Sequence, residues 1–128
     1  MTYPAKLPLR ILVVEDERVI ADVIRRVLAG EACEVDISTD GNKAQHMVLG
    51  NRYELCILDV KMPKISGKDF YHWLEEKQPE LAKRVIFITG DIASGDTTSF
   101  LKRSGRPFLF KPFSPEKLEE LAKQVMSD

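Results

Sequence analysis

Leu55-Cys56-Ile57-Leu58-Asp59-Val60-Lys61-Met62-Pro63 is the stretch whose reading decides the fold. Its apolar run, bounded by turn signals, has the length and composition of a buried strand, and strand propensity stops at Asp59. A carboxylate beside a core is rarely left unpaired, so Asp59 either caps a turn or belongs to a polar site. Met62-Pro63 bars an immediate helix, because the residue before a proline is pushed out of the α region. Ser66-Gly67 supplies the next helix start, ahead of Phe70, Trp73 and Leu74, with Trp73 expected in the core.

Working upstream, Leu9–Val14 is a near-continuous β-branched run that suits a strand covered on both faces, and it ends on Glu15-Asp16-Glu17. Three acids in a row could simply open a helix, since carboxylates favour the positive end of its dipole. Val19, Ile20, Val23, Ile24, Val27 and Leu28 then recur at helical spacing, which predicts one buried face, with Gly30 as the stop. Cys33, Val35 and Ile37 alternate with Glu34 and Asp36, the pattern of an edge strand. Asp40-Gly41 turns the chain into a short helix carrying Ala44, Met47 and Val48.

Downstream, Pro79 closes the helix that carries Trp73, and Arg84–Thr89 is a fourth apolar strand ending on Thr89-Gly90-Asp91. The segment 91–104 is polar, with only Ile92, Ala93, Phe100 and Leu101 to bury, which predicts a marginal, mobile helix. Phe108-Leu109-Phe110 is a short fifth strand that ends on Lys111-Pro112. Ser114 as cap, Pro115 at the first helical position and Glu116 in the first turn open a last helix, with Leu118, Leu121, Ala122 and Val125 as its stripe.

Composition narrows the class. The chain has 128 residues, 44% hydrophobic and 30% charged, the profile of one ordinary globular domain. A net charge of -1 predicts no general affinity for nucleic acid. No apolar run approaches the ~18 residues of a membrane span, so a cytoplasmic location and no membrane contact are expected. Cys33 and Cys56 lie in strand-like runs without metal-site spacing and read as buried, reduced thiols. His46 and His72 read as surface or boundary residues. Residues 1–8, with Pro4 and Pro8, read as a leader or linker remnant, leaving 9–128 as the domain.

Five strands alternating with helices predict an α/β fold, a parallel sheet with right-handed crossovers and helices on both faces. In such sheets ligands sit beyond the carboxyl ends of the strands. Glu15 and Asp16 follow the first strand, Asp59 the third, Thr89 the fourth and Lys111 the fifth. Independent helix caps do not predict that convergence. Three neighbouring carboxylates repel one another unless a cation neutralises them, and a hard, oxygen-preferring ion such as Mg²⁺ suits them. A carboxylate beside Mg²⁺, with Lys and Thr opposite, is the equipment for phosphoryl transfer to an aspartate.

With these pieces assembled, the chain resembles the receiver domain of two-component response regulators. The likeness rests on Ile11-Leu-Val-Val-Glu-Asp16, Leu58-Asp59-Val60-Lys61-Met62-Pro63 with Gly67 four residues on, Thr89-Gly90, and Lys111-Pro112-Phe113, and it spans about residues 9–126. Thr89 follows Asp59 by 30 positions and Lys111 follows it by 52, the family's spacing. The resemblance implies a flavodoxin-like doubly wound sheet of order 2-1-3-4-5, the order for which receivers are a standard example. It implies that Asp59 accepts a phosphoryl group from a phosphohistidine, that Asp16 binds Mg²⁺ directly and Glu15 through water, and that the Lys61 carbonyl completes the protein's ligands. Thr89 and Lys111 take the places of the switch hydroxyl and the phosphate-binding amine, and Lys111-Pro112 that of a cis peptide. Phe108 takes the aromatic switch position, where Tyr is frequent, so no ring hydroxyl can hold it in or out. Glu15 stands where Asp is more usual, lengthening the reach to the ion.

The implied partners are a sensor histidine kinase or a histidine phosphotransfer domain and an unidentified downstream protein. The implied setting is a stand-alone regulator or the receiver of a hybrid histidine kinase, with a monomer as default and no conventional turnover chemistry. Other readings use the same residues. Phosphatases resembling the haloacid dehalogenase class place a second acid two positions after the nucleophile, where Lys61 stands here. The remaining alternative is a degenerate receiver kept as a protein-binding scaffold, which retention of every expected side-chain type disfavours, or a flavin module on the same architecture, whose phosphate Glu15-Asp16-Glu17 would repel.

Overall fold

The computed structural model describes residues 8–30, 32–91 and 94–127. In chain order the elements are β1 (Leu9–Val14), α1 (Arg18–Leu28), β2 (Cys33–Ser38), α2 (Gly41–Gly50), β3 (Leu55–Asp59), α3 (Gly67–Lys77), the single turn α4 (Pro79–Ala82), β4 (Val85–Thr89), α5 (Gly95–Ser104), β5 (Phe108–Phe110) and α6 (Pro115–Ser127). The expected leader lies outside the described residues except for Pro8.

All four strand pairings are parallel, and the order is β2-β1-β3-β4-β5. The parallel pairing is that anticipated from the alternation of strands and helices, and the doubly wound order is the one the family resemblance implied. Side chains of successive strand residues point to opposite faces, so the central strands feed two cores. Ile11, Val13, Leu55 and Ile57 pack with Ala21 and Ile24 of α1 and Leu118 and Ala122 of α6. Leu12, Val14, Cys56 and Leu58 pack on the other side with Ala44 of α2, Phe70 and Leu74 of α3, and Phe100 of α5. Burial on both faces explains why these strands read as unbroken apolar runs rather than as alternating ones.

Four expectations need correction. The α1 stripe does not form one buried face: Ala21, Ile24 and Leu28 are buried, but Val19 is 77% and Val23 39% exposed. A helix lying on a flat sheet buries a strip narrower than its apolar arc, and α1 carries more apolar residues than the sheet can cover. Trp73 is only half-buried, packed against the rim of the core, while Phe70 and Tyr71 go inside. Pro79 opens α4 at its first position rather than merely ending α3, whose C-cap is Gln78.

The last correction concerns the polar segment before β5. It forms a ten-residue helix, α5, with Ser94 accepting from the Thr97 amide as N-cap and Gly105 in the left-handed region (φ 69°) as C-cap. Thr97, Phe100 and Leu101 supply its buried side. Caps at both ends and an aromatic anchor compensate for weak intrinsic propensity. Ile92 and Ala93, expected to contribute burial, lie outside the described residues.

Candidate functional site

Strand register brings the predicted residues to one rim. Val14 pairs with Leu58, which places Glu15 level with Asp59; Asp59 pairs with Ile88, one residue before Thr89; and Thr89 pairs with Phe110, one before Lys111. The backbone continues the ladder past the side chains that matter: the Glu15 N–H donates to Ser38 O, Val60 N–H to Ile88 O and Lys111 N–H to Thr89 O. The positions of these groups are therefore set by the sheet and not by flexible loops.

Gly67 fixes how the chain leaves β3. Its N–H donates to Val60 O at 2.9 Å, and a Cβ built on it would lie 2.0 Å from the Asp59 carbonyl oxygen and 2.7 Å from Val60 Cα. Only a residue without a side chain lets α3 start this close to the strand end. In the same loop Lys64 takes φ 67°, an uncommon conformation for a non-glycine residue.

Asp59 is 2% exposed, yet it has partners for both oxygens. Oδ1 accepts from the Lys61 backbone N–H at 3.2 Å, and Oδ2 lies 3.1 Å from Lys111 Nζ. The same ammonium is 2.6 Å from Glu15 Oε1 and 3.4 Å from Glu17 Oε1. The contact with Glu15 is an ion pair without hydrogen-bond alignment, and Glu15 Oε1 is a buried oxygen with no hydrogen-bond partner among the described residues. Carboxylate oxygens of Glu15, Asp16 and Asp59 lie within 4.8 Å of one another. Asp16 is exposed, whereas the other two are buried.

Charge is crowded here. Burial, and then contact with Asp59, pushes the Glu15 pKa up to about 8, with Lys111 opposing. Burial alone would lower the Lys111 pKa, but Glu15 and Asp59 outweigh it and push it up to about 12. Three acids facing one ammonium leave the cluster short of positive charge. A buried carboxylate oxygen whose ammonium partner is not aligned for a hydrogen bond, set among closely spaced carboxylate oxygens, is a donor set that fits a hard divalent cation.

Thr89 is fully buried, and its Oγ1 accepts from the Asp91 N–H at 3.0 Å, leaving its own proton free to be donated. Over the cleft the Lys61 side chain, a residue the sequence singled out only for its backbone carbonyl, pairs with Asp91, which the sequence did not single out as a site residue. Lys61 Nζ is 3.1 Å from Asp91 Oδ2, which also accepts from Thr97 Oγ1, while the Ser94 N–H donates to Oδ1. The Lys61 ammonium, followed by the Thr97 hydroxyl and the Ser94 amide, holds the Asp91 pKa below the usual range against the opposing effect of burial. Glu17 was also missed. The strand-end rule finds residues one or two past a strand, and Glu17 is the third after β1.

Phe108 is half-buried against the α2–α5 side of the sheet and meets Phe110 edge-on at 5.5 Å between ring centres. Lys111-Pro112 is cis, as the resemblance implied. Cys33 and Cys56 are buried free thiols, and His46 and His72 are exposed.

Comparisons with known proteins agree with this geometry. Residues 11–123 match the family described as response regulator receiver domain. A transcriptional regulatory protein, DltR, of Streptococcus agalactiae is 33% identical over 110 residues, covering 86% of this chain and 48% of that protein. A receiver domain protein (CheY-like) from Methanospirillum hungatei has a TM-score of 0.83 at 26% identity, covering 93% of this chain and 94% of that one. The chemotaxis protein CheY4 of Vibrio cholerae has a TM-score of 0.79 at 26% identity, covering 91% and 98%. The chain belongs to the response regulator receiver family of two-component signalling. It spans about half the length of the curated relatives it matches. Among the described residues no helix is long and apolar enough to cross a membrane.

Proposed function

We propose that Asp59 is the phospho-acceptor of a two-component phosphorelay and that residues 9–128 form the receiver unit. The observation that carries this reading is the shared rim: Asp59 has Lys111 Nζ 3.1 Å from one oxygen, with the Glu15 and Asp16 carboxylates beside it. A buried carboxylate aligned with an ammonium is held in one orientation, which is what in-line attack requires.

In the proposed step a carboxylate oxygen of Asp59 attacks the phosphorus of a phosphohistidine on a sensor kinase or phosphotransfer domain. An O–P bond forms, the P–N bond breaks, and its electron pair returns to the imidazole. Lys111 draws charge from the phosphoryl oxygens, and the Thr89 hydroxyl donates to one of them. Asp16 and Asp59 directly, Glu15 through water and the Lys61 carbonyl would hold Mg²⁺, which when bound supplies charge neutralisation at the transferring group. Later attack by water returns the carboxylate and inorganic phosphate, so the domain is a switch and not a conventional enzyme. Movement of Thr89, with Phe108 on the neighbouring strand, would carry the change to a partner surface. On this reading the domain works in the cytoplasm as a monomer and contacts a downstream protein rather than nucleic acid. A stand-alone regulator and a hybrid kinase place the same chemistry on Asp59.

The test is intact mass after incubation with a small acyl phosphate and Mg²⁺. One phosphoryl increment in the wild type and none in Asp59→Asn is expected. An equal increment in the variant, or none in the wild type with any donor, overturns the reading.

A further inference from the structure

Glu17 occupies the N-cap of α1, where Ser, Thr, Asp or Asn is favoured because a short side chain can accept from the first free amides. It makes no such bond. Its backbone N–H donates instead to Glu15 Oε2 at 3.3 Å, and its carboxylate turns into the cleft, 3.4 Å from Lys111 Nζ, a residue 94 positions away. A local rule broken at a cap marks a residue serving a site rather than its helix.

One ammonium is thus shared by three carboxylates, at 2.6 Å (Glu15), 3.1 Å (Asp59) and 3.4 Å (Glu17). Glu15 and Asp59 are buried and held beside the ammonium by the strand ends that carry them, whereas the Glu17 side chain is 63% exposed and can turn to water. Glu17 also lines the open cleft over Asp59 together with Lys61, Asp91 and Lys111. Lys61 and Asp91 cancel each other as an ion pair, so Glu17 adds net negative charge where a phosphoryl dianion must enter.

We propose that Glu17 is an electrostatic brake on phosphoryl uptake, a positioning residue whose charge draws Lys111 toward the cleft mouth and opposes the incoming dianion. The inference rests on Asp59 being the acceptor. A half-exposed pair is weak, so the brake is modest, about two- to fivefold in rate.

The experiment follows the rate of the phosphoryl mass increment with a small acyl phosphate and saturating Mg²⁺ in wild type, Glu17→Gln and Glu17→Asp. It is run at about 0.01 M and about 1 M ionic strength, between which the screening length falls from ~30 Å to ~3 Å. Glu17→Gln loses no helix cap and is expected to react about two- to fivefold faster at low salt, with the gain vanishing at high salt. Glu17→Asp, which keeps the charge, is expected to stay within about twofold of wild type. A Gln variant no faster than wild type, a gain that survives high salt, or an Asp variant as fast as the Gln variant overturns the proposal. Absence of any increment in the wild type instead overturns the reading of Asp59, which keeps the two failures apart.

Discussion

At the scale of single residues, the β3–α3 loop holds two backbone positions with opposite signs. A methyl group at Gly67 would meet main-chain atoms of Asp59 and Val60, which cannot rotate away. Gly67→Ala is therefore expected to cost about 3 kcal/mol or more in urea unfolding and to slow phosphoryl uptake, because relief must come from moving the end of β3. Lys64, held at φ 67°, pays for a conformation that glycine adopts freely. Lys64→Gly is expected to gain about 0.5–1 kcal/mol, since the 3.7 Å contact to Asp40 that it gives up is exposed. The buried Glu15 adds a pH dependence. Its pKa rises from 4.5 to about 8 on folding, so the folded state binds this proton more tightly than the unfolded chain does. In metal-free buffer stability should fall as pH rises from about 4.5 to about 8 and then level off. Urea midpoints across that range check the sign, and Glu15→Gln should remove this part of the slope; a midpoint that rises with pH equally in both proteins contradicts the assignment.

Among the elements, α5 shows what sequence reading weighs poorly. Its composition argues against helix, but Ser94, Asp91 and Gly105 satisfy its ends, and Phe100 packs edge-on with Phe87 and Tyr71 at 5.2 and 6.0 Å. Caps are local and could be found by inspection, whereas the aromatic contacts join three elements and appear only once the chain is folded. Ser94→Ala should accordingly cost about 1 kcal/mol and lower the thermal midpoint by a few degrees. The site was more legible because parallel sheets put every strand end on one rim, so Glu15, Asp59, Thr89 and Lys111 could be grouped by position alone. Glu17 escaped because side-chain reach, not strand position, brings it to the cleft, whereas Asp91, two residues past β4, lay within the strand-end rule but was read only as the start of the polar segment. The far rim gave no hint either. There Arg10 pairs with Asp36 at 2.8 Å, lies over the Tyr53 ring, and Tyr53 donates to the same carboxylate at 2.7 Å. The exposed Val19 and Val23 mark the same limit, since periodicity locates an apolar arc but not how much of it a neighbour covers.

At the scale of the whole molecule, two thiols report on different openings. Cys33 sits at the start of the edge strand β2, and Cys56 is fully buried in the central strand β3, where burial pushes its pKa up. Alkylation needs a solvated thiolate, so Cys33 can react through local fraying of the edge, while Cys56 reacts only when the sheet opens as a unit. Mg²⁺ at the proposed site would tie the ends of β1 and β3 together and bind only the folded state. At a free concentration about 100 times its dissociation constant, it lowers the population of the globally open state by about 2.7 kcal/mol, or roughly a hundredfold. Residue-resolved mass spectrometry of alkylation should therefore show Cys33 modified first at a rate that Mg²⁺ leaves nearly unchanged, and Cys56 slowed by up to that factor. Equal slowing at both thiols would mean that the edge does not open independently of the core. No slowing at Cys56, at Mg²⁺ concentrations that support phosphoryl uptake, would mean that the ion does not bind the resting acidic cluster. The Asp16→Asn variant separates this from general salt effects, because it should lose the protection of Cys56 while its Cys33 rate follows the wild type.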